Sequence, residues 1–282
     1  MDVAVRSILS VTARLLRSGT VAIVVASCAG SAAAMSPPKL LPHAAGYTVA
    51  IEGAGGLGPI SGGRGALKLE WQRDCEGIAY TQHSLLSLSY SDGTNADSEV
   101  RIASWEAADA SRFRFLMESG TDGEITGSVS GLAKRQPDGS LNVSYSEPER
   151  IEVSLPSGIV FPWQQMRRLL AKAASGKTQD WHSLLRGEAE GDPTDVSVRI
   201  LPMTAALPAG LGEQGALLPK AGWQFVSAYF EEPAEAMPSF EISETVLASG
   251  VITQADITYP DFTMHIRLAK LIALPLPACG KP

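Results

Sequence analysis

Cysteine, histidine and long apolar runs are scarce in this chain, and each scarcity excludes something. Three cysteines occur in 282 residues and none forms a C-x-x-C pair, so neither a thiol redox motif nor a cysteine-rich zinc site fits. The four histidines, His43, His83, His182 and His265, have no partner at a metal-like spacing. After the first 34 residues no apolar run approaches the roughly 20 residues of a membrane-spanning helix. No G-x-S-x-G elbow occurs; the nearest stretch, GSVSG at 127–131, carries Val129 at its centre and no helix pattern behind it. Basic residues are outnumbered 23 to 30 and form no long run, which argues against nucleic acid as a partner. No cofactor or metal is implied, and the chain reads as a non-enzyme.

The N-terminus has its own pattern. Arg6, Arg14 and Arg17 make the start basic, Thr20 to Ser27 is almost wholly apolar, and Ala32-Ala33-Ala34 follows. Basic, apolar, small is the order of a secretory signal, so residues 1–34 are assigned as a signal peptide. Two fates are open. Cleavage after Ala34 would release a free chain, whereas Val25-Ala26-Ser27-Cys28 fits a lipobox and would tether the protein through a lipid on Cys28. The spacing of Ala32 and Ala34 favours cleavage after Ala34 and a soluble periplasmic protein. Without residues 1–34 the chain keeps 20 basic and 29 acidic residues, a formal charge of −9, which anionic head groups would repel on average.

Whichever peptidase acts, Cys28 leaves the fold, and Cys75 and Cys279 remain. In an oxidising compartment a lone pair of cysteines forms a disulfide, read here as a clamp from the C-terminal tail to an early strand, with a redox switch as the alternative. The closed loop of about 200 residues would be worth roughly 5 kcal/mol in chain entropy.

A Pro-rich lead at 35–42 precedes a single domain at 43–282. Most of that domain alternates with period two, the signature of strands with one buried face. YTVAIE (47–52), GALKLEW (65–71), GIAYTQHSLLSLSYS (77–91) and SRFRFLMES (111–119) begin the series, and EITGSVSGLAKR, SLNVSYS and ERIEVSL continue it. Pro137-Asp138-Gly139 is a hairpin turn, because Pro cannot donate to a ladder and Asp-Gly suits positive φ. One segment breaks the period. FPWQQMRRLLAKAASG (161–176) places Trp163, Met166, Leu169, Leu170 and Ala173 at helical spacing between Pro162 and Gly176, which predicts an amphipathic helix near 162–175 whose apolar stripe meets a sheet face. Arg167, Arg168 and Lys172 would face elsewhere. Six more strand-like stretches follow, with a Gly-, Pro- and Ala-rich loop at 203–221 and a turn at 248–251. About a dozen strands and one long helix predict one large antiparallel, barrel-like sheet.

Two local signals need weighing. GAGGLG at 53–58 matches the dinucleotide fingerprint, but Pro59 and a further strand follow where the anion-binding helix should start, so it reads as a loop. The tryptophans at 71, 105, 163, 181 and 223 are core or groove residues, and Trp163 sits where the helix enters the sheet.

Several stretches taken in order resemble the EipB-like family of exported bacterial envelope proteins. They are LLPHAAGYTVAIE, CEG at 75–77, SWEAADASRFRF at 104–115, SGLAKRQPDGSLNV at 130–143, LPSGIVFPWQQMRRLLAKAASG at 155–176, the segment 238–271 and the terminal Cys279. The resemblance implies a periplasmic protein that supports cell-envelope integrity. It implies a β-spiral, a highly curved, broken antiparallel barrel around one long helix, and a disulfide between the positions of Cys75 and Cys279. It carries over no catalytic residue. Two departures stand out. Tyr259-Pro260-Asp261-Phe262 replaces the family's Tyr-Gly-Asp-Phe, and Pro260 predicts a strand edge or bulge. The segment after the helix lacks the family's Asp-Gly-Ser. The functional expectation is a non-enzymatic envelope-integrity factor that binds a peptide, lipid or protein partner on the curved sheet. A periplasmic lipid or lipoprotein carrier is the alternative, and an undetected hydrolase would need Ser, His and a carboxylate converging in a cleft.

Overall fold

A computed structural model describes residues 40–279, apart from 56–57, 189–190, 192, 205–206, 208–210, 212–214, 216–217, 220 and 232–235. Residues 1–34, assigned from the sequence as a signal peptide, lie outside the described residues with Cys28 and Ala34, as does most of the Pro-rich lead.

Eight antiparallel strands come first: β1 (His43–Gly53), β2 (Ile60–Arg73), β3 (Gly77–Tyr90), β4 (Asn95–Ala107), β5 (Arg112–Thr121), β6 (Glu124–Arg135), β7 (Leu141–Glu147) and β8 (Glu152–Leu155). Helix α1 (Pro162–Ala174) follows. Six more strands complete the sheet: β9 (Gln179–Leu184), β10 (Thr194–Thr204), β11 (Ala221–Phe230), β12 (Phe240–Leu247), β13 (Ile252–Thr258) and β14 (Phe262–Ala273). Sequence neighbours pair with each other, and β14 pairs with β1, so the order is β8-β7-β6-β5-β4-β3-β2-β1-β14-β13-β12-β11-β10-β9.

This order corrects the expected architecture. The fold is mainly β as predicted but has fourteen strands among the described residues, and the sheet is an open ladder rather than a highly curved β-spiral or broken barrel. Closure requires the two edge strands to share a ladder. Here β8 and β9 are separate edges, and among the described residues the segment after β8 meets β9 through one isolated parallel bridge between Val160 and Leu184. The strand missing from the periodicity reading is β4, whose inward positions Ile102, Ser104 and Glu106 mix apolar and polar side chains.

Period two explains the rest. On β1, Ala45, Tyr47, Val49 and Ile51 are buried, and they sit beside Leu67 and Leu69 of β2 and Ile266, Leu268 and Leu271 of β14. The stripe of α1 (Leu169, Leu170 and Ala173) packs on Val196, Val198 and Ile200 of β10 and on Trp223 and Phe225 of β11. Burying each such leucine contributes about 1.5–3 kcal/mol. Gly176 closes the helix in the left-handed region at φ +75°, and its N–H and that of Lys177 reach the carbonyls of Ala173 and Lys172. Pro260 falls in the turn between β13 and β14, where Tyr259 N–H donates to the Phe262 carbonyl at 2.9 Å, so no ladder donor is lost.

The basic residues of α1 do not simply face solvent. Asp180 on β9 is buried and takes a two-pronged contact from Arg168, Nε to Oδ2 at 2.6 Å and Nη2 to Oδ1 at 2.9 Å, together with Lys172. These cations outweigh the burial that would raise the Asp180 carboxyl, and hold it well below the usual carboxylate range. Cys75 and Cys279 form a disulfide with Cα atoms 5.5 Å apart, fastening the tail beyond β14 to the turn between β2 and β3. The GAGGLG stretch runs from the end of β1 toward β2, and the segment has no described helix.

Candidate functional site

The N-terminus of α1 lies against the inner side of β1–β4. Phe161, fully buried, seats the entry by stacking on Phe113 at 5.2 Å, and the Arg135 guanidinium lies 4.9 Å from its ring centre. No Ser, Thr, Asp or Asn stands at the helix start, so its first amides need an acceptor from elsewhere. Glu106 supplies it from β4, accepting from Trp163 N–H at 2.8 Å and Gln164 N–H at 3.0 Å. The helix dipole favours a negative group at this point. Even so, burial dominates and pushes the Glu106 carboxyl up to about 7, the two amides opposing it.

Beside this junction is a cavity of about 260 Å³. Trp71 and Trp163 form one side, with ring centres 4.8 Å apart, and His43 meets Trp71 edge-on at 5.5 Å. Tyr47 and Tyr80 line it as well, along with Ile78, Ile102 and Met166. The Tyr47 hydroxyl donates to the Ile252 carbonyl at 3.0 Å and the Tyr80 hydroxyl to Gln82 Oε1 at 2.6 Å. Burial raises both phenols above their ordinary range. Burial also lowers the His43 imidazole, whose Nδ1 contacts the Leu41 carbonyl at 2.8 Å. The neutral ring therefore carries its proton on Nδ1.

Two charged residues reach the cavity from the segment after β9. Arg186 pairs with Glu188 at 2.8 Å and with Glu231 at 3.4 Å, and its guanidinium lies 5.1 Å from the Phe240 ring centre. Gly187 between them sits at φ +73°, and a Cβ there would come within 2.5 Å of the Phe115 ring. Only glycine lets this turn approach β5 so closely. On β12, Glu244 faces the same interior as Tyr47 and Tyr80, and burial pushes its carboxyl up to about 7.

Ser104, His43 and Glu106 all line this cavity, the residue types a hydrolase would need. They are not wired as one. Among the described residues no hydrogen bond joins His43 to Ser104 or to Glu106, His43 Nδ1 is held by a backbone carbonyl, and both Glu106 oxygens serve the helix. A nucleophile–base–orienter relay requires those links. No group of three or more His, Cys, Asp or Glu able to hold a metal occurs among the described residues, and no described helix is long and apolar enough to cross a membrane.

Sequence reasoning singled out Trp163, which does line the cavity, and paired Cys75 with Cys279, which the structure joins away from it. It missed His43, Tyr47, Glu106, Arg186 and Glu188 as site residues. The one signal pointing to Glu106 is a carboxylate on the inward parity of β4, beside Phe113 on β5.

Comparison with known proteins places the chain. A family model described as EipB-like matches residues 34–275. The chain is 27% identical over 258 residues to the cell envelope integrity protein EipB of Brucella abortus (strain 2308), spanning 90% of this chain and 91% of that protein. It also resembles a solved crystal structure from Brucella abortus described as a beta-barrel-like protein of a domain of unknown function. That match has a TM-score of 0.75 and 25% identity, and covers 84% of this chain and 99% of the other.

Proposed function

Because the chain belongs to the EipB-like family, we propose that it is a non-enzymatic periplasmic protein supporting cell-envelope integrity, and that it acts by binding part of an envelope partner in the cavity beside α1. The observation that carries this reading is the near full-length similarity to the Brucella cell envelope integrity protein, joined to an apolar cavity with a few convergent polar groups. On this reading residues 1–34 are a signal peptide removed after Ala34, and 43–282 act as one domain behind the lead at 35–42. Lipidation at Cys28 is the other fate the N-terminus permits.

The volume argues for a small group over a lipoprotein carrier. A cavity of about 150 Å³ accommodates benzene, whereas pockets for drug-sized ligands span about 300–1,000 Å³. At about 260 Å³ the space suits one ring or one short chain with a polar end, not the acyl chains of a lipoprotein.

Deletion and complementation in the source bacterium test the proposal. Loss of the protein is expected to raise sensitivity to detergent and to cell-wall antibiotics. The wild type should restore resistance, and Ser104→Phe, which fills the cavity, should not. Unchanged sensitivity on deletion, or full rescue by stably folded Ser104→Phe, would refute the reading.

A further inference from the structure

Several polar groups around the cavity present acceptors to it. His43 is 2% exposed and its Nδ1–H is committed to the Leu41 carbonyl, so its Nε2 is a bare acceptor, with no donor to it among the described residues. The Tyr47 and Tyr80 hydroxyls have both given their hydrogens to protein oxygens, leaving lone pairs. Glu188 adds a carboxylate, and Arg186, the cation beside it, is already shared between Glu188 and Glu231. The indole N–H of Trp163 is sealed from the open space and offers no donor there. Against these acceptors the lining sets the Gln82 amide, the Ser104 hydroxyl and the Arg186 guanidinium, of which Gln82 Nε2 donates to Ser84 and Arg186 Nη2 to Glu188 and Glu231.

The apolar part of the lining is aromatic. Trp71 and Trp163 present ring surface on one side, with Tyr47 and Tyr80 also in the lining. Aromatic faces attract cations through their quadrupole, most strongly when desolvated. An ammonium group brings three donors and no acceptor.

We propose that the cavity takes a primary ammonium group carried on a short apolar or aromatic stem. The ammonium would donate to His43 Nε2 and the tyrosine oxygens, with Glu188 as counter-charge, while the stem lies against Trp71 and Trp163. This assignment rests on the reading of the cavity as the binding site. The same chemistry is offered by a lysine side chain of a protein or peptide and by an ethanolamine lipid head group.

The test uses the signal-free chain with its disulfide intact and three probes on one stem: phenethylamine, 2-phenylethanol and 3-phenylpropionate. Calorimetric titration should rank the amine at least about tenfold tighter than the acid and several-fold tighter than the alcohol. Glu188→Gln should erase most of the preference for amine over alcohol. An alcohol or acid that binds at least as tightly as the amine overturns the ammonium assignment and leaves the cavity as a site. Failure of all three probes to bind overturns the cavity reading as well. Competition against phenethylamine by an N-acetyl-lysine amide peptide or by lysophosphatidylethanolamine separates the protein source from the lipid source, and rejection of both overturns the assignment.

Discussion

Replacing Glu106 by glutamine tests how the cavity wall and the helix are joined. The side chain keeps its shape and one acceptor oxygen but loses its charge. In the wild type the carboxyl is buried and raised from 4.5 to about 7. A folded pKa above the unfolded one means that the folded state binds more protons between these values. The contribution to stability is therefore full below about pH 4.5 and is lost as pH rises through about 7. At 1.36 kcal/mol per pH unit, the wild type loses about 2.5 kcal/mol from this group between pH 5 and 8.5. Glutamine does not titrate and loses nothing. At pH 5 the variant exchanges one neutral acceptor for another and costs about 1 kcal/mol through poorer hydrogen bonding to the helix amides. At pH 8.5 the cost of an ionised buried carboxylate is gone, and the variant should be more stable by about 1.5 kcal/mol. Urea unfolding followed by tryptophan fluorescence, run on both proteins at both pH values, measures this. Glu244 and the histidines are present in both and cancel in the difference. A stability difference that stays within about 0.5 kcal/mol across the two pH values would refute the reasoning.

Three further outcomes follow from the packing. Cys75→Ser with Cys279→Ser removes a crosslink spanning 204 positions and should lower stability by up to about 5 kcal/mol, read as a fall in urea midpoint that dithiothreitol reproduces in the wild type. Leu170→Ala empties a site 1% exposed at the centre of the helix–sheet contact and should cost about 2–5 kcal/mol by the same assay. Asp180→Asn breaks the contacts with Arg168 and Lys172 and should cost about 3 kcal/mol at neutral pH. Because the Asp180 carboxyl is lowered, its contribution is present above 3.8 and lost as pH falls through the folded value, so the wild type should lose its advantage over the variant in acid.

The strands were legible because most obey one rule. A face that packs on apolar neighbours writes its alternation into the chain, as Ala45, Tyr47, Val49 and Ile51 do. The helix announced itself through Pro162, Gly176 and the spacing of Leu169, Leu170 and Ala173. The strand that escaped, β4, carries Ile102, Ser104 and Glu106 into the cavity, and an inner face that includes polar groups no longer alternates. Functional positions are where local pattern and global fold disagree. For the same reason Glu106 looked like one more surface carboxylate. Its acceptor role depends on a helix that begins 56 residues later.

The sequence by itself determined the type of every element but β4, the amphipathic helix, and the two cysteines, Cys75 and Cys279, that lie beyond the proposed signal segment. Local propensity, hydrophobic period and cysteine number are properties of short windows, and a single chain displays them. The tertiary structure alone decided that the sheet stays an open ladder of fourteen strands, that Arg168 and Lys172 turn inward to Asp180, and that His43, Tyr47, Tyr80, Glu106 and Glu188 line one cavity. Those residues lie as far as 145 positions apart, and their proximity follows from how the strands stack in register, which no local window contains.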